Sequence, residues 1–358
     1  MAAVLKADLS KKIIIGIVLL AIILLLTGYT IQKNVDLKTL KLIIANSDFR
    51  WIIPAILSMA VFITCEAINV GKGLQTAGYK TTFFDTIKYA CAGYFFSSIT
   101  PSASGGQPAQ LVYMNRDGIS VSHGIFSLNL DLLCFQTAAL TLGTAGAVIF
   151  LSGGSDGNNI VYWPFILGAA LSVGGLVLLV LLMFSRQIYK KIAGFASLIA
   201  KKFYKIKKKA FNEMEILRTI CRYRIAAAKI KKQPQTVMGM VLVSFIELIS
   251  LYSISYYSVR AIGIDDISWA YITGIQALIF VSVSSLPFPG AAGITEYGLS
   301  TFLTGILTNE TIAAAIVLSR TLSFVFPVLA TGVYVFTYSL INTNINLCRC
   351  PPENTIRL

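Results

Sequence analysis

The chain of 358 residues is 56% hydrophobic and only 13% charged, with a mean hydropathy of +0.74. Soluble domains carry about 25% charged residues, so a soluble or nucleic-acid-binding protein is excluded and an integral membrane protein is expected. The net charge of +14 is concentrated in one place, because Arg186 to Lys232 holds fifteen Lys or Arg against Glu213 and Glu215, a net +13. Between apolar segments such a run is expected on the cytoplasmic side by the positive-inside bias, and it is attracted to anionic head groups.

In chain order, Lys11-Lys12 precede an apolar run from Ile13 to Ile31. That run is too long for a signal-peptide core and reads as an uncleaved first span. Leu37, Leu40, Ile43 and Ile44 fall at helical spacing and predict a short interfacial helix, closing an N-terminal segment of 1–50. Further spans are predicted at Trp51–Leu74, Ser122–Leu151, Val161–Phe184, Val237–Val259 and Thr311–Ile341, giving six in all. The segment 185–236 is the basic cytoplasmic loop, and 342–358 is a cytoplasmic tail.

Two polar breaks interrupt the apolar segments, and they resemble each other. The first is Ser97-Ser98-Ile99-Thr100-Pro101-Ser102-Ala103-Ser104-Gly105-Gly106-Gln107-Pro108. The second is Ser284-Ser285-Leu286-Pro287-Phe288-Pro289-Gly290-Ala291-Ala292-Gly293-Ile294-Thr295-Glu296. A helix broken at membrane depth leaves backbone groups that lipid cannot satisfy, so it must be buried in protein or line a polar cavity. Paired breaks in two halves of a membrane chain point to a transporter's substrate site.

Basic residues orient the chain. Lys72, Lys80 and Arg116 fall on the same side as the basic loop, so the segment near 83–115 enters and leaves from the cytoplasm. Gly263-Ile264-Asp265-Asp266 carries no basic residue, so the segment near 269–308 begins and ends outside. The expected fold is an all-α integral membrane protein with about six full spans and two re-entrant helical hairpins in an inverted-topology repeat. The repeats are 51–151 and 237–341, joined by the span 161–184, and both termini lie in the cytoplasm.

Ionisable residues at membrane depth face a cavity or a partner. Glu66, Asp131 and Glu247 are candidate cavity carboxylates, able to bind a cationic head group or a proton, or to cap a broken helix. Glu296 and Arg320 are placed to pair, either as a structural clamp or as a switch that a charged head group opens. Gly105, Gly106, Gly290 and Gly293 allow backbone to approach a ligand, while Ser102, Gln107 and Thr295 supply hydrogen bonds there. Helix N-termini restarting at each tip suit a phosphate, and Arg116 is positioned to meet an incoming lipid phosphate or to anchor the interface. His123 reads as a solvated or capping residue. Cys65, Cys91 and Cys134 read as small buried hydrophobes, and Cys348-Arg349-Cys350 lacks a second pair for zinc. No P-loop, metal cluster or nucleophile–base arrangement stands out, so no catalytic residue, metal or cofactor is expected.

The two breaks, together with Arg116-Asp117-Gly118-Ile119-Ser120 and Leu318-Ser319-Arg320, resemble the transmembrane flippase region of the lysylphosphatidylglycerol synthases. The resemblance covers most of the chain and implies movement of a lipid across the cytoplasmic membrane. Fused members join this region to a soluble synthase domain, of which no counterpart is seen here. The expectation is a stand-alone member, with aminoacylated phosphatidylglycerol, another phospholipid or a glycolipid as cargo. A membrane-embedded transferase and a scaffold for a partner enzyme remain the alternatives. Expected partners are membrane lipids, the anionic lipid surface at 186–232, a separate lipid-modifying enzyme and a second copy of the chain; nucleic acid is not among them.

Overall fold

A computed structural model describes residues 37–100, 103–152, 159–184, 213–283, 294–304 and 306–348. The expected first span, the second break before Ile294, residues 185–212 and the end of the tail lie outside the described residues. Every described element is helical. In chain order they are α1 Leu37–Ala45, α2 Phe49–Ala77, α3 Phe83–Ser98, α4 Gly106–Arg116, α5 Val121–Ser152 and α6 Asn159–Phe184. After these come α7 Glu213–Ile230, α8 Pro234–Ala261, α9 Trp269–Val283, α10 Ile294–Leu303 and α11 Asn309–Arg320. A π-helical turn, Thr321–Val325, then joins α11 to α12 Phe326–Cys348.

Five stretches are long and apolar enough to cross a membrane: Phe49–Ala77, Val121–Phe150, Trp163–Leu181, Pro234–Ala261 and Asn309–Tyr338. The predicted sixth span falls at Ile13–Ile31, outside the described residues. Side-chain caps fix several helix starts. Asp48 accepts from the Arg50 amide at α2, and Thr82 with Asp85 forms a capping box at α3. Pro234 opens α8, where its missing N–H costs nothing. Gly78, at φ 103°, ends α2 in the left-handed conformation that a side chain disfavours.

The antiparallel pair α2 and α8 forms the centre, surrounded by α5, α9 and the α11–α12 unit. Buried polar contacts tie these helices where apolar burial alone gives little drive between them in lipid. Asn69 of α2 donates to Met240 O and Ser244 Oγ of α8 at 3.3 and 2.9 Å. Ser127 of α5 donates to the Val70 carbonyl at 2.8 Å. On α8, Ser255 pairs with Ser319 at 2.8 Å and accepts from Gln276 at 2.6 Å.

Contacts at the helix ends show which helix termini share an end of the bundle. The Ser120 amide donates to Tyr79 Oη at 3.1 Å, which brings the end of α2 to the start of α5. At that same end, Lys88 Nζ and Tyr89 Oη of α3 both reach Asp117 just past α4. Lys88 also donates to Tyr338 Oη of α12 at 3.1 Å. Helices α3 and α4 are thus a hairpin whose open base sits at this end. Helix α7 packs here as well, burying Tyr223, Ala226, Ala227 and Ile230 at helical spacing while Arg222, Arg224 and Lys229 face out. Part of the segment expected as a basic loop is therefore a packed amphipathic helix.

At the opposite end the Asp48 amide donates to the Ala261 carbonyl, and Arg260 pairs with Asp265 at 2.7 Å while covering the Trp51 ring. Helix α9 starts there. Ala313 and Ala314 of α11 pack there beside Ile262 and beside Ile43 and Ile44 of α1, the predicted short helix. The base of α9–α10 therefore lies opposite that of α3–α4.

Two long crossings bring distant helices together. Helix α9 crosses α5, and α3 crosses α12. At the first crossing a Cβ on Gly146 would meet the Gly274 carbonyl. At the second a Cβ on Gly332 would meet the Phe95 ring, 2.8 Å from Cε2.

Candidate functional site

The first break is satisfied from within. Thr100 Oγ1 donates to the Phe96 carbonyl at the end of α3 (2.6 Å) and accepts from the Gly105 amide before α4 (2.8 Å). One hydroxyl thus serves the last turn of one helix and the entry to the next. Ser97 Oγ reaches the Ala103 carbonyl at 3.4 Å, and Ala103 takes a left-handed φ of 52° to make the turn. These bonds answer the cost of a broken helix away from water.

The tip glycines are required by close approach of α4 to α3. A Cβ on Gly106 would meet Ser97 Oγ and lie 2.8 Å from the Gly93 carbonyl, and one on Gly105 would lie 2.6 Å from Thr100 Cγ2. Gln107 is exposed beside them, whereas Ser102 lies outside the described residues. Arg116 stacks on Tyr113 at 5.6 Å at the base of the hairpin, about 15 Å along α4 from Gly106. It does not join the tip residues.

Glu296 and Arg320 do meet, with Arg320 Nε 2.6 Å from Glu296 Oε1 and side chains 25% and 12% exposed for Arg320 and Glu296. Glu296 lies in the first turn of α10, where the helix N-terminus favours its negative charge, and Arg320 stands at the junction of α11 with the π-helical turn. Thr295 Oγ1 donates to the second Glu296 oxygen at 3.0 Å. The π-helical turn begins immediately after Arg320, and such turns recur at functional sites. Tyr94 of α3 donates to the Ser323 carbonyl within that turn at 2.8 Å. Tyr94 also lies within electrostatic reach of both Arg320 and Glu66, so it joins the first hairpin to the ion pair. Gly290 and Gly293 precede α10 outside the described residues.

Glu66 Oε1 accepts from Gln110 Nε2 of α4 at 2.7 Å. Glu66, Asp131 and Glu247 come from α2, α5 and α8 and lie within electrostatic reach of one another. The three expected carboxylates are therefore neighbours.

Four polar residues in these contacts carry little signal in the sequence. Gln110 follows Gln107 by one helical turn but lies beyond the break. Asn69, one turn after Glu66, is marked only as a polar residue in an apolar span. Lys88 is 4% exposed and Asp117 lies beside Arg116, but their meeting depends on the hairpin closing.

Broken helices, buried hydroxyls and ionisable groups between long apolar helices define a polytopic membrane protein with a polar interior. The chain belongs to the family described as the lysylphosphatidylglycerol synthase TM region, which it matches over residues 13–331. It is 23% identical over 322 residues to a UPF0104 membrane protein of Archaeoglobus fulgidus, covering 84% of this chain and 90% of that one. It is also 20% identical over 296 residues to an uncharacterized MG306 homolog of Mycoplasma pneumoniae, covering 76% of this chain and 72% of the relative.

Proposed function

We propose that the protein is a lipid flippase or facilitator that moves a polar-headed lipid across the cytoplasmic membrane without changing it chemically. The observation that carries this is the polar link between the two broken segments: Glu296–Arg320, the π turn, Tyr94, and Glu66–Gln110. A partly accessible arginine beside a carboxylate offers a phosphate a partner, and the neighbouring acids offer one to an ammonium. The family supports a lipid as cargo; aminoacylated phosphatidylglycerol, another phospholipid and a glycolipid are the candidates. Acyl chains would stay in the bilayer while the head group crosses between the hairpins.

In this proposal α3–α4 and α9–α10 are re-entrant hairpins of an inverted repeat. Their bases at opposite ends and the reciprocal crossings α9–α5 and α3–α12 support it. At 11 residues α4 reaches about 16 Å, half of a hydrocarbon core of about 30 Å. Exposed Arg222, Arg224 and Lys229 favour a cytoplasmic position for their end. In a cysteine-free background, single cysteines at Ser120 and Asp266 should react with membrane-impermeant maleimide from opposite sides. Labelling of both from one side would refute the topology.

The functional test is flipping of head-group-labelled phosphatidylglycerol, lysylphosphatidylglycerol and glycolipid in proteoliposomes of the purified chain. At least one should exchange leaflets faster than in protein-free vesicles, with its mass unchanged. Chemical conversion without flipping would favour a transferase instead.

A further inference from the structure

Among the described residues the three acids on α2, α5 and α8 have no cationic partner. No ion pair joins Glu66, Asp131 or Glu247 to a Lys or Arg among the described residues. Glu247 is 2% exposed and its Oε2 has no hydrogen-bond partner, and Asp131 Oδ1 is likewise unpartnered. Two buried neutral groups on α2 and α8 also carry unused polar atoms. Asn69 is fully buried and gives its amide N–H groups to Met240 and Ser244, yet its Oδ1 bonds to nothing. Tyr252 is 4% exposed beside Glu247, and its hydroxyl is unpartnered. Three negative charges held together at low dielectric with no counter-charge are prohibitively costly. The site therefore requires bound positive charge.

The chemistry around it favours the smallest cation. The remaining titratable groups facing the acids are Cys65, Cys91 and Cys134, with Tyr94 and Tyr252 and, beyond Tyr94, the Arg320 already held by Glu296. The carboxylates are spread over three helices, and among the described residues no group of three or more acids, histidines or cysteines stands close enough to hold a metal ion. A proton needs only one oxygen with a free lone pair, which Glu247 and Asp131 both offer.

We propose that Glu66, Asp131 and Glu247 form a proton-binding site that couples proton uptake to movement of the first hairpin. The link is Gln110, whose amide donates to Glu66. An amide donor bonds a carboxylate more strongly than a neutral carboxylic acid, so a proton arriving at Glu66 weakens the hold of α2 on α4. Glu66 and Asp131 are partly exposed and Glu247 is buried, so in this proposal protons enter at Glu66 or Asp131. Only the transport consequence rests on the flippase proposal; the proton site is independent of it.

Infrared difference spectra of the full chain in lipid nanodiscs, between acid and alkaline buffer in H2O and D2O, test the site directly. A titrating carboxylic C=O band that shifts in D2O is expected. It should lose intensity in Glu66→Gln, Asp131→Asn and Glu247→Gln, each checked for folding by thermal melting. Absence of such a band, or a band indifferent to all three substitutions, would overturn the proposal. So would a band abolished by sodium at constant pH, which would assign the site to a metal cation. In proteoliposomes, an imposed pH gradient should accelerate flipping of labelled phosphatidylglycerol by the wild type but not by Asp131→Asn. Flipping that ignores the gradient would refute coupling while leaving the flippase proposal intact. If no lipid is flipped, the flippase proposal fails and the infrared result alone decides the proton site.

Discussion

Arg320→Ala should reduce flipping to the protein-free background and destabilise the protein as well. The Arg320–Glu296 contact is short, at 2.6 Å, and both side chains are largely withdrawn from water. Removing one partner strands the other charge, which typically costs ~3–5 kcal/mol. Loss of stability alone does not establish a functional role, so two further variants separate the possibilities. Glu296→Gln preserves shape and a hydrogen-bond acceptor for Arg320 while removing the negative charge. The double variant Glu296→Gln with Arg320→Gln removes both charges, and neutral replacements of a buried pair often restore stability. If the pair is a switch opened by a head group, the double variant should melt near the wild type and still not flip lipid. Wild-type flipping by a stable double variant would make the pair a clamp. Tyr94→Phe adds a local check, since it removes the bond to Ser323 in the π turn without touching either charge.

Gly106→Val should cripple transport by opening the first hairpin. Its side chain would displace Ser97 Oγ and press on the Gly93 carbonyl, 2.8 Å from the new Cβ. The serine can rotate away, but the carbonyl belongs to the backbone of α3 and cannot. Overpacking of this kind costs about 1–3 kcal/mol. It also shifts Gln110, one turn further along α4, off Glu66. Ser97→Ala should therefore rescue Gly106→Val only in part. Gln107→Ala gives the contrast. Gln107 is exposed, so melting should stay within about 0.5 kcal/mol of the wild type, while loss of its donor and acceptor should slow flipping. Wild-type flipping by Gln107→Ala would show that this part of the tip does not touch the head group, leaving the glycines a purely structural duty.

What the sequence determined by itself was whatever depends on local cost. Apolar length marked α2, α5, α6, α8 and the α11–α12 unit, because a span needs a continuous apolar run whatever lies beside it. The break at Thr100–Gly105 was legible because proline and glycines interrupt a helix wherever they occur. Glu296 and Arg320 stood out because an ionised group in an apolar segment needs a partner. The spacing of Leu37, Leu40, Ile43 and Ile44 marked α1. Tertiary structure decided everything that depends on how helices cross. It gave Thr100 both ends of the break, and it assigned the tip glycines to contact with α3. It carried Lys88 across to Tyr338 and Asn69 to Ser244. It set the basic residues of α7 on a packed helix, and it brought Glu66, Asp131 and Glu247 of three helices within electrostatic reach of one another. Side chains separated by many helical turns in sequence meet only when close approaches such as Gly146 on Gly274 fix the angle and depth of the crossing. No local pattern encodes that geometry, because it is the joint result of two distant surfaces.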